Sequence, residues 1–169
     1  MENIKTLLDG KQYQELKQHL LSLNIADIAA FFEELEDKQQ ITILFRLLSK
    51  DVAADVFAFL QPEFQEVIVN ALKDKEIAEI MADLYMDDAA DFLQEMPANV
   101  VKRVLKNTTK ENRETLNKLL TYPEYSAGSI MTTEFVDLKQ TLTVDEAFTK
   151  IKQKAPYQKN THNAWFMTL

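Results

Sequence analysis

The sequence predicts a mainly α-helical protein: a superhelical stack of short helices (an α-solenoid), followed by a short α/β segment. Three observations carry that expectation. The 169 residues contain two Gly and four Pro, far fewer than the tight turns of a sandwich or barrel demand. Apolar residues recur at helical spacing, as in Ile77, Ile80, Met81 and Leu84, where a strand would alternate every second residue. Residues 24–96 also divide into blocks of about 12, each closed by Leu or Met: Leu35, Leu48, Leu60, Leu72, Leu84 and Met96. With 46% hydrophobic and 27% charged residues, the chain can bury a core and is not disordered throughout.

In chain order, Ile4–Leu8 reads as a short first helix stopped at Gly10, a residue type that commonly ends helices. Gln12–Leu21 follows, with Tyr13, Leu16, Leu20 and Leu21 on one side. The blocks of 24–96 open with capping types or a first-turn proline: Asn24, Asp37, Ser49, Pro62 and Asp74. A helix of roughly nine residues is marginal alone, so neighbours must stack to bury a continuous core. The repeat continues through 97–108, and Thr109 caps a helix over Lys110–Leu120. Residues 121–135 hold Pro123 and Gly128 and read as a linker. Residues 135–138 form a candidate strand. Thr143 and Glu146 make a capping box for the helix that follows, and Ala164–Leu169 is a second candidate strand. This strand–helix–strand piece is too small to enclose its own core.

Composition excludes several functions. There is no Cys, hence no disulfide, thiolate metal site or Cys nucleophile, and the chain fits a reducing compartment. The formal charge of −8 argues against a charge-driven grip on nucleic acid. The longest apolar stretches, such as 28–32 and 56–60, fall far short of the roughly 18 residues of a membrane span. Without a secretory signal at Met1, the chain reads as soluble and cytosolic, with no insertion into the membrane by itself. Two glycines cannot build a phosphate loop. No triad or acid–base pair stands at a telling spacing, so the chain does not read as an enzyme. His19 and His162 are the only histidines, and neither has a partner at ligand spacing.

The excess acid is concentrated. Residues 24–96 carry 17 acids against five bases, which is either a solvated surface or a field that gathers cations. Asp51 and Asp55 lie at i and i+4, as do Asp87 and Asp91 three repeats later. That spacing puts each pair on one helix face, where like charges repel unless a cation is near. A first-turn position offers partial relief from the helix dipole. Hard oxygen donors of this kind suit Mg²⁺ or Ca²⁺. The plain alternative is that Asp recurs as a capping type because the repeat copies it.

Residues 122–153 resemble a known family. Tyr122, Pro123, Glu124, Ala127, Gly128, Met131 and Thr132 match the pattern by which the N domain of MgtE-type magnesium transporters leads into a pair of cystathionine-β-synthase (CBS) motifs. Thr143, Val144, Glu146 and Ala147 match the helix start of the first such motif. The implied fold is a right-handed superhelical stack of short helices followed by an incomplete α/β CBS segment. The implied division is an N-terminal superhelix over 1–121, a linker over 122–135 and the beginning of a CBS domain over 136–169.

The resemblance implies a cytosolic Mg²⁺-sensing part of a homodimeric magnesium transporter, at the cytoplasmic face of the membrane. High Mg²⁺ would hold the pore closed through acidic interfaces between the superhelix, the CBS pair and a helix leading to the membrane domain. The family's N-domain ligands fall on Asp55, Asp87 and Asp91, with Asp55 replacing a family Glu; Asp51 receives no role. The remaining ligands fall beyond this sequence. A second reading is a metal-independent helical scaffold for protein–protein contacts, similar to flagellar motor switch proteins.

Overall fold

The computed structural model describes residues 2–123, 125–154 and 164–167. Met1, Glu124, residues 155–163 (His162 among them) and 168–169 lie outside the described residues. The described chain begins with α1 (Glu2–Asp9), α2 (Tyr13–Leu20), α3 (Ile25–Glu33), α4 (Lys38–Leu47) and α5 (Lys50–Phe59). It continues with α6 (Pro62–Ala71), α7 (Asp74–Asp83), α8 (Met86–Gln94), α9 (Ala98–Asn107) and α10 (Lys110–Leu119). The mainly α, stacked architecture expected from the repeat is therefore the one observed.

Local chemistry sets the starts. Asn24 Oδ1 accepts from the Asp27 N–H at 2.8 Å, Asp37 Oδ1 from Gln39 at 2.8 Å, and Thr109 Oγ1 from Asn112 at 3.3 Å. Pro62 occupies the first position of α6. Two expected caps differ. Ser49 stands at its N-cap position without a side-chain bond. Asp74 is the first residue of α7 rather than its cap; there the Glu76 carboxylate reaches back to accept from the Lys73 N–H at 2.8 Å.

The block-closing residues explain the repeat. Leu60, Leu72 and Leu84 sit at helix C-caps with extended backbone. Each donates its N–H to the last turn, for example Leu84 to the Ile80 carbonyl at 2.9 Å, and buries its side chain. The turn is thus closed and plugged by one residue, and the next helix begins at once. Leu48 occupies the same place but stays half-buried.

The stop of α1 falls at Gly10 as expected, directly after Asp9. Lys11, not Gly10, adopts the left-handed conformation, with φ 54°. Gln12 donates to the Leu7 carbonyl at 2.9 Å and Lys11 to Leu8 at 3.1 Å, the two bonds of a Schellman turn with Lys11 in the place glycine favours.

Helices pack two places apart: α3 on α5, α5 on α7 and α7 on α9, with α4 on α6 and α8 on α10. One continuous core runs from Ile4 to Leu119. Within it Phe32, Phe45, Phe57 and Phe92 form a chain of edge-to-face rings with centroids 6.3, 6.3 and 5.0 Å apart. The last contact joins α5 to α8, the two helices that carry the aspartate pairs. Two arginines lock the α6–α7 turn. Arg103 donates to Asp74 and to the Val69 and Leu72 carbonyls, and Arg46 to Glu76 and the Ala71 carbonyl.

Between Thr121 and Phe135 the described residues form neither helix nor strand. Tyr122 and Met131 pack this segment onto the solenoid core. Gly128 is required there, because a Cβ would lie 2.3 Å from the Tyr122 ring. Then β1 (Val136–Lys139), α11 (Val144–Lys154) and β2 (Ala164–Met167) form a strand–helix–strand unit. The strands pair in parallel, with Val136 opposite Ala164 and Lys139 opposite Met167. Both halves of the Thr143–Glu146 capping box form, at 2.8 and 3.4 Å.

Candidate metal centre

The structure separates the two aspartate pairs. Asp51 lies in the first turn of α5, but Asp55 is a turn further on. Likewise Asp87 and Asp88 lie in the first turn of α8 and Asp91 beyond it. Dipole relief therefore reaches one member of each pair rather than both, which corrects the expectation from spacing. The charge of Asp51 bears on Lys50, whose Nζ lies 2.9 Å from Asp83 Oδ2.

The charges of other carboxylates are felt at α8. Partial burial, then the charges of Asp87 and Glu95, hold the Asp91 carboxyl above the usual carboxylate range. The Tyr85 hydroxyl is pushed up by burial, then by Asp55, Glu134, Asp88 and Asp87. Tyr85 is the N-cap of α8. Carboxylates from α5, from α8 and from the segment before β1 thus act on one phenol. Asp55 and Asp91 are exposed and Asp87 is half-buried. Asp87 Oδ1 is buried with no hydrogen-bond partner among the described residues.

That orphaned oxygen is the observation by which a cation is tested. A buried, unsatisfied carboxylate oxygen carries a desolvation cost that a bound cation offsets. Mg²⁺ takes one or two carboxylates and keeps several waters, so Asp87 with Asp91 or Asp55 matches its donor needs in part. Among the described residues no three His, Cys, Asp or Glu side chains are gathered to hold a metal ion by themselves. These carboxylates by themselves therefore do not make a metal site. His19 is a half-buried residue of α2.

Sequence spacing missed three participants. Glu95 follows Asp91 at i+4, so extending the same search by one turn finds it. Tyr85 and Glu134 have no such signal in the spacing; that the Glu134 charge reaches the Tyr85 hydroxyl came only with the fold.

Comparison with known proteins sharpens the picture. Residues 23–125 match the family model described as the MgtE intracellular N domain. The Bacillus subtilis (strain 168) protein named magnesium transporter MgtE is 30% identical over 149 residues, covering 88% of this chain and 33% of that protein. The namesake from Thermus thermophilus is 32% identical over 158 residues, covering 91% of this chain and 35% of that protein. The chain thus spans about a third of the length of these curated relatives. A crystal structure of the soluble part of a magnesium transporter superposes with TM-score 0.79 at 26% identity, covering 94% of this chain and 62% of that one. A crystal structure of the cytosolic domain of the Mg²⁺ channel MgtE in complex with ATP gives 0.83 at 27%, covering 98% and 67%.

Proposed function

Because the chain belongs to the MgtE intracellular N domain family, we propose that it is the Mg²⁺-sensing regulatory part of a magnesium transporter, at the cytoplasmic face of the membrane, and not an enzyme. On this reading residues 1–121 form the sensing superhelix, 122–135 the linker and 136–169 the start of a CBS domain. Its partners are the rest of the CBS pair and the membrane domain of a homodimer.

The observation that carries the reading is the buried, unpartnered Asp87 Oδ1 beside a carboxyl, Asp91, that its neighbours make reluctant to ionise. Asp55, Asp87 and Asp91 are the proposed ligands. A divalent cation supplies the positive charge that their shared face lacks. The protein's part is to hold these oxygens on packed helices, so that the cost of leaving them bare falls on the interface with the next domain rather than on the fold. Asp87 and Asp91 face that interface as like charges, and at low Mg²⁺ they push it apart. Because these carboxylates do not make a metal site by themselves among the described residues, occupancy depends on oxygens from the partner domain. Ion occupancy and domain docking are therefore linked, and a two-state interface results.

The test belongs in the full-length transporter. Replacing Asp87 and Asp91 together by Asn should leave ion flux open at Mg²⁺ levels that shut the unaltered protein. Flux that shuts down identically in the double variant overturns the proposal.

A further inference from the structure

The described residues hold two separate groups of buried side chains, and the chain passes from one to the other within residues 132–135. Tyr122 and Met131 pack against the solenoid core. Val136 and Leu138 are just as buried as that core but lie outside it. Ahead of this boundary the segment is tied down. The Tyr122 N–H donates to the Leu119 carbonyl at 3.1 Å, at the close of α10. The Ser126 N–H donates to the Pro123 carbonyl and the Ser129 N–H to the Ser126 carbonyl, both at 3.1 Å, so two turns follow one another. The Ser129 hydroxyl adds a bond to the same Ser126 carbonyl at 2.8 Å. Gly128 lies on the Tyr122 ring: a Cβ there would stand 2.3 Å from Cδ1 and 2.5 Å from Cγ. Cγ is the root of the ring, so the ring escapes only if the whole side chain moves. Gly128 has no positive φ; it serves the close approach of backbone to ring rather than an unusual conformation.

We propose that residues 122–131 are a strap clamped to the superhelix by the contact of Gly128 with Tyr122, and that residues 132–135 alone are the pivot for the strand–helix–strand unit. Tyr122 packs on the core and Gly128 packs on Tyr122, so the strap lifts only when the ring leaves its place. Met131 holds the far end. The clamp shortens the tether. Fourteen free residues (122–135) would reach about 50 Å when extended, whereas the four of 132–135 reach about 14 Å. The unit that begins at β1 is therefore kept beside the superhelix and turns about a short joint. This holds whether or not the acidic face binds Mg²⁺.

Amide hydrogen exchange and ¹⁵N relaxation on the full chain test this. In the unaltered protein the amides of Ser126 and Ser129 should exchange at least about tenfold more slowly than that of Thr133. Order parameters over 125–131 should equal those of the solenoid helices, with a minimum at 132–135. Gly128→Ala should abolish the protection of Ser126 and Ser129 while the amides of α3 to α9 keep theirs, which shows that the fold is intact. It should also lower the thermal midpoint by about 2–4 °C. In a Tyr122→Ala background the same substitution should leave the midpoint unchanged or raise it, because the added methyl then meets no ring. Unaltered protection in Gly128→Ala, an equal fall of the midpoint in both backgrounds, or order parameters that already drop over 125–131 each overturns the proposal. None of these readouts involves Mg²⁺, so their outcome is independent of the sensor reading.

Discussion

At the scale of single residues, Asp91 is held in an uncomfortable state by its neighbours. Its folded carboxyl has a raised pKa, whereas the unfolded reference is about 3.9. A carboxyl raised on folding costs stability while ionised. That cost is complete above the folded value and disappears as pH falls through it toward the unfolded one. Asp91→Asn should therefore stabilise the chain at neutral pH by about 0.4–1 kcal/mol, the relief of two like-charged i,i+4 contacts, with Asp87 and Glu95. The gain should shrink on acidification and vanish below about pH 3.9. Denaturant melts of both proteins from pH 7 to pH 3.5 check this; equal stability at pH 7 contradicts it. The pair Asp87–Asp91 was legible in the sequence because i,i+4 spacing survives any helical context. The burial of Asp87 Oδ1 was not, since it depends on tertiary packing that residue spacing does not encode.

At the scale of elements, the twelve-residue repeat was legible because one residue type closes each turn. Leu60, Leu72 and Leu84 cap, plug and end their helices in one step. The stop of α1 at Gly10 was legible too, but not that Lys11 takes the left-handed conformation there; a neighbouring glycine does not say which of two residues turns. Nor does the repeat reveal that helices meet two places apart, so the contact between α5 and α8 came only with the fold. That contact runs through Phe57 and Phe92, edge to face at 5.0 Å. Phe57 is 1% exposed. Phe57→Ala should cost about 3–5 kcal/mol and loosen Asp55 from the group around Tyr85. Chemical denaturation measures the first effect. A loss under about 1 kcal/mol contradicts the role given to this ring pair in holding the two acidic helices together.

At the scale of the whole molecule, the acidic middle of the chain and its more basic remainder were visible in the sequence, and so was the family resemblance carried by Tyr122, Pro123, Gly128 and Met131. The structure adds the reason for Gly128, which lies against the Tyr122 ring. It also adds the arrangement by which carboxylates far apart in sequence share one region. No three of them gather to hold a metal ion among the described residues, so on the proposed sensor reading Mg²⁺ affinity should be weak in this chain and rise when a partner domain adds oxygens. At ten times its dissociation constant, an ion that binds only the folded chain contributes about 1.4 kcal/mol, enough to tip an interface but not to fold a domain. The most direct test is a titration of the chain with MgCl₂, followed by amide chemical shifts against NaCl of equal ionic strength. The amides of Asp55, Asp87 and Asp91 should move saturably with MgCl₂ alone and stay still in the Asp87→Asn variant. Amides that stay fixed at millimolar MgCl₂, or move equally in NaCl, contradict the claim that these carboxylates await a divalent ion.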